Sequence, residues 1–91
     1  RDITILAFAS FRETFGEKNT VTISNGATIL SVLHSFAESV PAARDELFDG
    51  DSLRGHVILM YNRERIDADD AKEIAVSDGD EIVLYPPVSG G

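Results

Sequence analysis

Over Asp2 to Ala9 apolar residues sit on both sides of a period-two alternation. Ile3, Ile5, Ala7 and Ala9 fall on one side, and Thr4, Leu6 and Phe8 on the other. Side chains on an extended chain point to alternate faces, so the pattern predicts a first strand. Apolar residues on both faces suit a central strand, or one whose outer face meets a partner. Ser10 to Gly16 reads as a short helical turn, with Gly16 placed to end it in a left-handed conformation. Thr20-Val21-Thr22-Ile23 is rich in β-branched residues and predicts a second strand, near enough to the first to form a hairpin. Asn25-Gly26 marks the turn that follows.

The period then changes. Thr28 is a good N-cap, and Ile29, Val32, Leu33, Phe36 and Val40 recur at helical spacing as one stripe to lay on a sheet. His34, Ser35 and Glu38 lie off that stripe, and His34 is expected to be a solvated helix residue. Pro41 stops this helix and can open another turn, so Ala42 to Phe48 predicts a second, shorter helix. Phe48 to Ser52 reads as an acidic loop, the segment most open to insertion and motion.

His56 to Tyr61 carries the apolar run of a buried third strand, although the run leaves its inward phase open. Asn62 to Arg65 turns the chain, with Arg63 and Arg65 read as solvating that turn, the alternative being that they rim the outer face of the sheet. Arg65-Ile66 is a candidate edge strand, and Asp67 to Glu73 a polar helical turn. Asp78-Gly79 signals a tight turn into the last strand, Glu81 to Tyr85, with Ile82 and Leu84 on one face and Val83 and Tyr85 on the other. Pro86 and Pro87 stop that strand and favour a stiff, extended exit. Val88, Ser89, Gly90 and Gly91 complete a thin tail that reaches roughly 20 Å past Tyr85. The order is ββαβ(β)β with one main helix, an α+β pattern. Residues 1–85 are expected to be one domain and residues 86–91 a flexible extension.

Composition narrows what this body can do. Ninety-one residues suffice for a single modest core, and 43% hydrophobic residues argue against disorder. No apolar run approaches the roughly 20 residues of a membrane span. The N-terminus runs straight into Ile3-Thr4-Ile5-Leu6 without a signal-peptide pattern, and Arg1 in place of Met points to a start that was trimmed or omitted. Cysteine is absent, which removes disulfides, thiolate zinc sites and cysteine nucleophiles and makes a cytoplasmic address the default. Eight basic against sixteen acidic residues leave a net charge of −8, which disfavours nucleic acid and favours, by steering, a partner with a basic patch.

Candidate chemistry is sparse. There is no glycine-rich phosphate loop and no Gly-x-Ser-x-Gly elbow. His34 and His56 have no spacing partner, and His56 reads as an ordinary strand-start residue. In Asp67-x-Asp69-Asp70 a calcium loop would need glycine where Lys72 stands and a bidentate Glu where Asp78 stands. No catalytic residue and no metal ligand is predicted, so a small enzyme is the weakest reading. What remains is a surface and a terminus. If Ile3, Ile5, Ile82 and Leu84 meet the helix, then Leu6, Phe8, Val83 and Tyr85 cluster on the outer face as an exposed apolar patch, the mark of a protein interface. The alternative for these four is a second small core covered by a loop or by dimerisation. The Gly91 α-carboxylate is an anion at neutral pH. It can attack the α-phosphate of ATP, but with no nucleotide motif here an enzyme partner must supply ATP and Mg²⁺.

The block Ser77-Asp78-Gly79-Asp80-Glu81, the strand Ile82-Val83-Leu84-Tyr85 and the ending Pro86-Pro87-Val88-Ser89-Gly90-Gly91 resemble the C-terminus of the ubiquitin-like sulfur carriers. Those are the small subunit of molybdopterin synthase and the small archaeal modifier proteins. The match is close over the last third and loose but collinear before it. The resemblance implies the β-grasp fold of ubiquitin, a mixed sheet of four or five strands with one main helix on one face. It also implies that a ubiquitin-activating-type enzyme adenylates Gly91. A thiocarboxylate then feeds molybdopterin synthesis, through the synthase large subunit, or a sulfurtransferase for tRNA thiolation. Alternatively the terminus joins lysines of target proteins. Gly90 and Gly91 match the family's terminal pair, Pro86 to Ser89 its approach segment, and Phe8 and Tyr85 its apolar contact positions. The acidic loop at Asp49 to Ser52 and the low lysine count, Lys18 and Lys72 alone, depart from it. The competing reading is a β-grasp interaction module with an incidental tail.

Overall fold

The structure, a computed structural model, describes residues 1–87. Its centre is a five-stranded mixed sheet in the order β2-β1-β7-β5-β6. β1 (Asp2–Ala7) pairs antiparallel with β2 (Lys18–Thr22) and parallel with β7 (Glu81–Tyr85). β5 (Ile58–Tyr61) lies antiparallel to β7 and to the edge strand β6 (Glu64–Ile66). This is the β-grasp arrangement, with first and last strands side by side at the middle.

β1 ends two residues earlier than its alternation suggests, because Ala9 turns the chain at φ 54° and ψ −133° into α1 (Ser10–Phe15). Phe8 still donates its N–H to the Leu84 carbonyl at 3.2 Å, so it stays in line with the sheet. Gly16 ends α1 at φ 89°, a conformation that glycine adopts without steric cost.

α2 (Ile29–Ser39) begins where Thr28 caps it. The Thr28 hydroxyl accepts the Ser31 N–H at 3.2 Å, and the Ser31 hydroxyl accepts the Thr28 N–H at 2.8 Å. The two bonds satisfy N–H groups that have no partner in the first turn. Its stripe Ile29, Val32, Leu33, Phe36 and Ala37 is buried against Ile3, Ile5, Leu59, Ile82 and Leu84 of the sheet. Phe11 and Phe15 of α1 stack at 5.0 Å, and Phe15 meets Phe36 edge-on at 5.8 Å. α3 (Pro41–Leu47) follows with Pro41 at its first position.

Two segments differ from expectation. Phe48 to Leu53 is not a loose acidic loop but a small hairpin, β3 (Phe48–Asp49) with β4 (Ser52–Leu53), turned at Gly50 with φ 64°. Burial of Phe48 ties it to the core. His34 is not simply solvated: its ring stacks on Phe48 at 4.2 Å, and Nε2 donates to the Asp51 carbonyl at 3.1 Å, which holds that hairpin on α2. Among the described residues no helix is long and apolar enough to cross a membrane.

Candidate functional site

Strand register builds the outer face of the sheet row by row. Residues paired across neighbouring strands point to the same face. One row therefore runs Lys18, Leu6, Val83, Met60, Arg65 across all five strands. The next row, toward the end of β7, holds Tyr85 opposite Ile58, with Phe8 stacked on Tyr85 at a centroid distance of 5.1 Å and 15° between planes. In the other direction lies a polar row, Thr20, Thr4 and Glu81. Helices and hairpin cover the opposite face, so these apolar side chains lie outside the core.

Leu6, Phe8 and Tyr85 are half-buried. Val83 differs from the exposed position expected of it: it is only 7% exposed, yet does not belong to the core cluster. Its place between Leu6 and Met60 in the row explains this, since outer-face neighbours cover it from both sides. Ile58 and Met60 complete the patch and were not legible beforehand. The run from Val57 to Met60 is apolar at every position, and only the pairing of Leu59 with Leu84 sets which residues face in. Arg65 lies in the edge strand expected at Arg65-Ile66 and, rather than solvating the turn, ends the row opposite Met60. Arg63 does sit in the turn, at φ 74°.

Pro86 is half-buried and Pro87 exposed just beyond the Phe8–Tyr85 stack. Val88, Ser89, Gly90 and Gly91, the remainder of the expected tail, lie outside the described residues. The apolar patch thus borders the point where the chain leaves the sheet.

At the start of β7 a polar cluster fixes the frame. Asp80 accepts from the Tyr61 hydroxyl, from the Ser77 N–H at 2.7 Å and from the Asn62 side-chain amide at 3.1 Å. Asn62 in turn accepts the Glu81 N–H at 2.9 Å. Partial burial first, then the carboxylate of Asp80, push the Tyr61 hydroxyl up to about 12. For Asp80 partial burial pulls the carboxyl upward, and the hydrogen bonds from Tyr61, Ser77 and Asn62 outweigh it, leaving the group below its ordinary value. The cluster ties the end of β5 and the turn after it to the Ser77–Glu81 stretch that opens β7. Among the described residues no group of three or more histidines and carboxylates is placed to hold a metal ion.

A family model described as the ThiS family matches residues 5–91. Small archaeal modifier protein 3 of Haloferax volcanii is 31% identical over 85 residues, covering 92% of both chains. The molybdopterin synthase sulfur carrier subunit of Chlamydomonas reinhardtii is 31% identical over 90 residues, covering 98% of both. Among solved structures, small archaeal modifier protein 1 of Haloferax volcanii superposes with a TM-score of 0.85 at 28% identity over 100% of both chains.

Proposed function

Because the chain belongs to the ThiS family, we propose that it is a carrier protein whose Gly91 carboxylate is the reacting group and whose sheet face docks the enzymes that act on it. The observation that carries the reading is the apolar outer face beside the exit of β7, in a chain similar throughout to a sulfur carrier subunit and to archaeal modifiers. In this mechanism the face and the tail divide the work. Leu6, Phe8, Ile58, Met60, Val83 and Tyr85 supply buried contact area on a rigid sheet, which needs little ordering on binding. Pro86 and Pro87 stiffen the chain where it leaves β7. Gly90 and Gly91 enter a partner's active site, where a side chain would block passage.

A ubiquitin-activating-type enzyme brings ATP and Mg²⁺. The carboxylate oxygen of Gly91 attacks the α-phosphorus, pyrophosphate leaves, and an acyl-adenylate forms. A sulfur nucleophile then displaces AMP to give a thiocarboxylate, or a target lysine amine displaces it to give an isopeptide bond. The chain itself contributes no acid, base or nucleotide site to these steps and acts as a substrate in the cytoplasm. Its downstream partner is a molybdopterin synthase large subunit or a sulfurtransferase.

Incubation with ATP, Mg²⁺, a sulfur donor and the host's adenylating enzyme is expected to give, by intact mass, first the adenylate and then exchange of one oxygen for sulfur. Deletion of Gly91 is expected to abolish both without lowering the melting temperature. An unchanged mass, under conditions that charge a known carrier, would overturn the proposal. The apolar face alone would also serve an interaction module with an incidental tail, and that reading predicts that a C-terminal extension is tolerated in vivo.

A further inference from the structure

The outer row has a charge pattern that the whole-molecule charge hides. Sixteen acidic residues outnumber eight basic ones, yet the row of five ends in a cation at each edge, Lys18 on β2 and Arg65 on β6. Both are exposed. Among the described residues the single ion pair is Arg12 with Glu17 at 3.8 Å, so neither row-end cation is neutralised within the fold. Between them lie only Leu6, Val83 and Met60. Four strand spacings of ~4.8 Å set the two Cα positions roughly 19 Å apart.

Resting on the carrier reading, we propose that the adenylating enzyme recognises this strip by an apolar contact bracketed with carboxylates, one meeting Lys18 and the other Arg65. An apolar centre with a polar, charged rim is the ordinary anatomy of a docking surface. Here the rim supplies the register: a partner shifted by two residues along the strands would exchange Lys18 for the neutral Thr20, in the row that also holds Thr4 and Glu81. Charge complementarity also selects the occupant. A second copy of this chain carries −8 itself, and stacking two such faces brings Lys18 and Arg65 against like charges or against neutral strip. A partner with carboxylates on its docking face would be drawn to this strip although the carrier as a whole repels it. Such rim charges act mainly on association.

The test is ATP–pyrophosphate exchange by the host's adenylating enzyme, with the carrier as varied substrate. Lys18→Glu and Arg65→Glu are each expected to raise KM about 3- to 10-fold with kcat unchanged, and added salt to narrow the gap to wild type. The neutral variants Lys18→Gln and Arg65→Gln should fall between. Lys72→Glu, in the Ala68–Lys72 turn away from this face, is the control for net charge alone. KM values for Lys18→Glu and Arg65→Glu equal to that of Lys72→Glu would overturn the bracket while leaving the carrier reading intact. So would sedimentation showing a wild-type dimer that the reversals dissociate. Failure of the wild-type chain to support any exchange would instead remove the carrier reading and this inference with it.

Discussion

Tyr61 and Asp80 show how much one residue pair can hold. They are neighbours only because β5 and β7 run side by side. Tyr61 is raised to about 12 by partial burial and by the Asp80 carboxylate it donates to. A group whose folded value lies above its unfolded value of about 10 stabilises the fold below pH 10. That contribution disappears as pH rises from about 10 to about 12. Asp80 is shifted the other way, so its contribution is present above about pH 4 and is lost as pH falls through its lowered folded value. Tyr61→Phe is therefore expected to cost about 1 kcal/mol at pH 7. It should also remove the alkaline loss of stability near pH 10–12, which urea denaturation across pH measures. An unchanged alkaline limb in Tyr61→Phe would show that the pair contributes nothing.

Among the elements, the β5–β6 hairpin places two consecutive non-glycine residues at positive φ. Its two loop residues, Asn62 and Arg63, have φ of 48° and 74°. A two-residue loop with both φ values positive matches the right-handed twist of the flanking strands, and asparagine followed by glycine suits it best. Asn62 fits, and its side chain also secures Glu81 and Asp80. Arg63 carries a Cβ into the left-handed region, at a cost on the order of 1 kcal/mol. Arg63→Gly is expected to raise the melting temperature by a few degrees, read by thermal unfolding, since relief of strain exceeds glycine's added chain entropy. A lower melting temperature would mean that Arg63 makes a compensating contact.

For the molecule as a whole, stability and recognition lie on opposite faces of one sheet. The inner face and α2 hold the buried core, with Phe36 fully enclosed. The outer face holds Met60, half-buried and outside the core cluster. Phe36→Ala is expected to cost about 3–5 kcal/mol, a large part of the ~5–15 kcal/mol that keeps a small domain folded. Met60→Glu should cost less than about 1 kcal/mol yet stop adenylation, because it puts a charge at the middle of the apolar strip. Denaturant titration alongside adenylate formation separates the two. Equal stability losses for both variants would place the outer face in the core.

Much of this was decided in the linear chain. The stripe Ile29, Val32, Leu33, Phe36 with Thr28 before it can only be a capped amphipathic helix, and Asp78-Gly79 ahead of alternating apolar residues can only turn into a strand. Those are local preferences, set within a few residues by sterics and hydrogen bonding. Family membership was legible too, in the block from Ser77 to Gly91. The tertiary structure alone chose the phase of Ile58 to Tyr61, because an all-apolar run has no inside until a neighbour supplies one, and pairing with β7 did so. Only that structure drew His34 onto Phe48 and set Lys18 and Arg65, 47 positions apart in the chain, at the two ends of one row. Such contacts depend on strand order and register, which long-range packing decides and no local window of sequence contains.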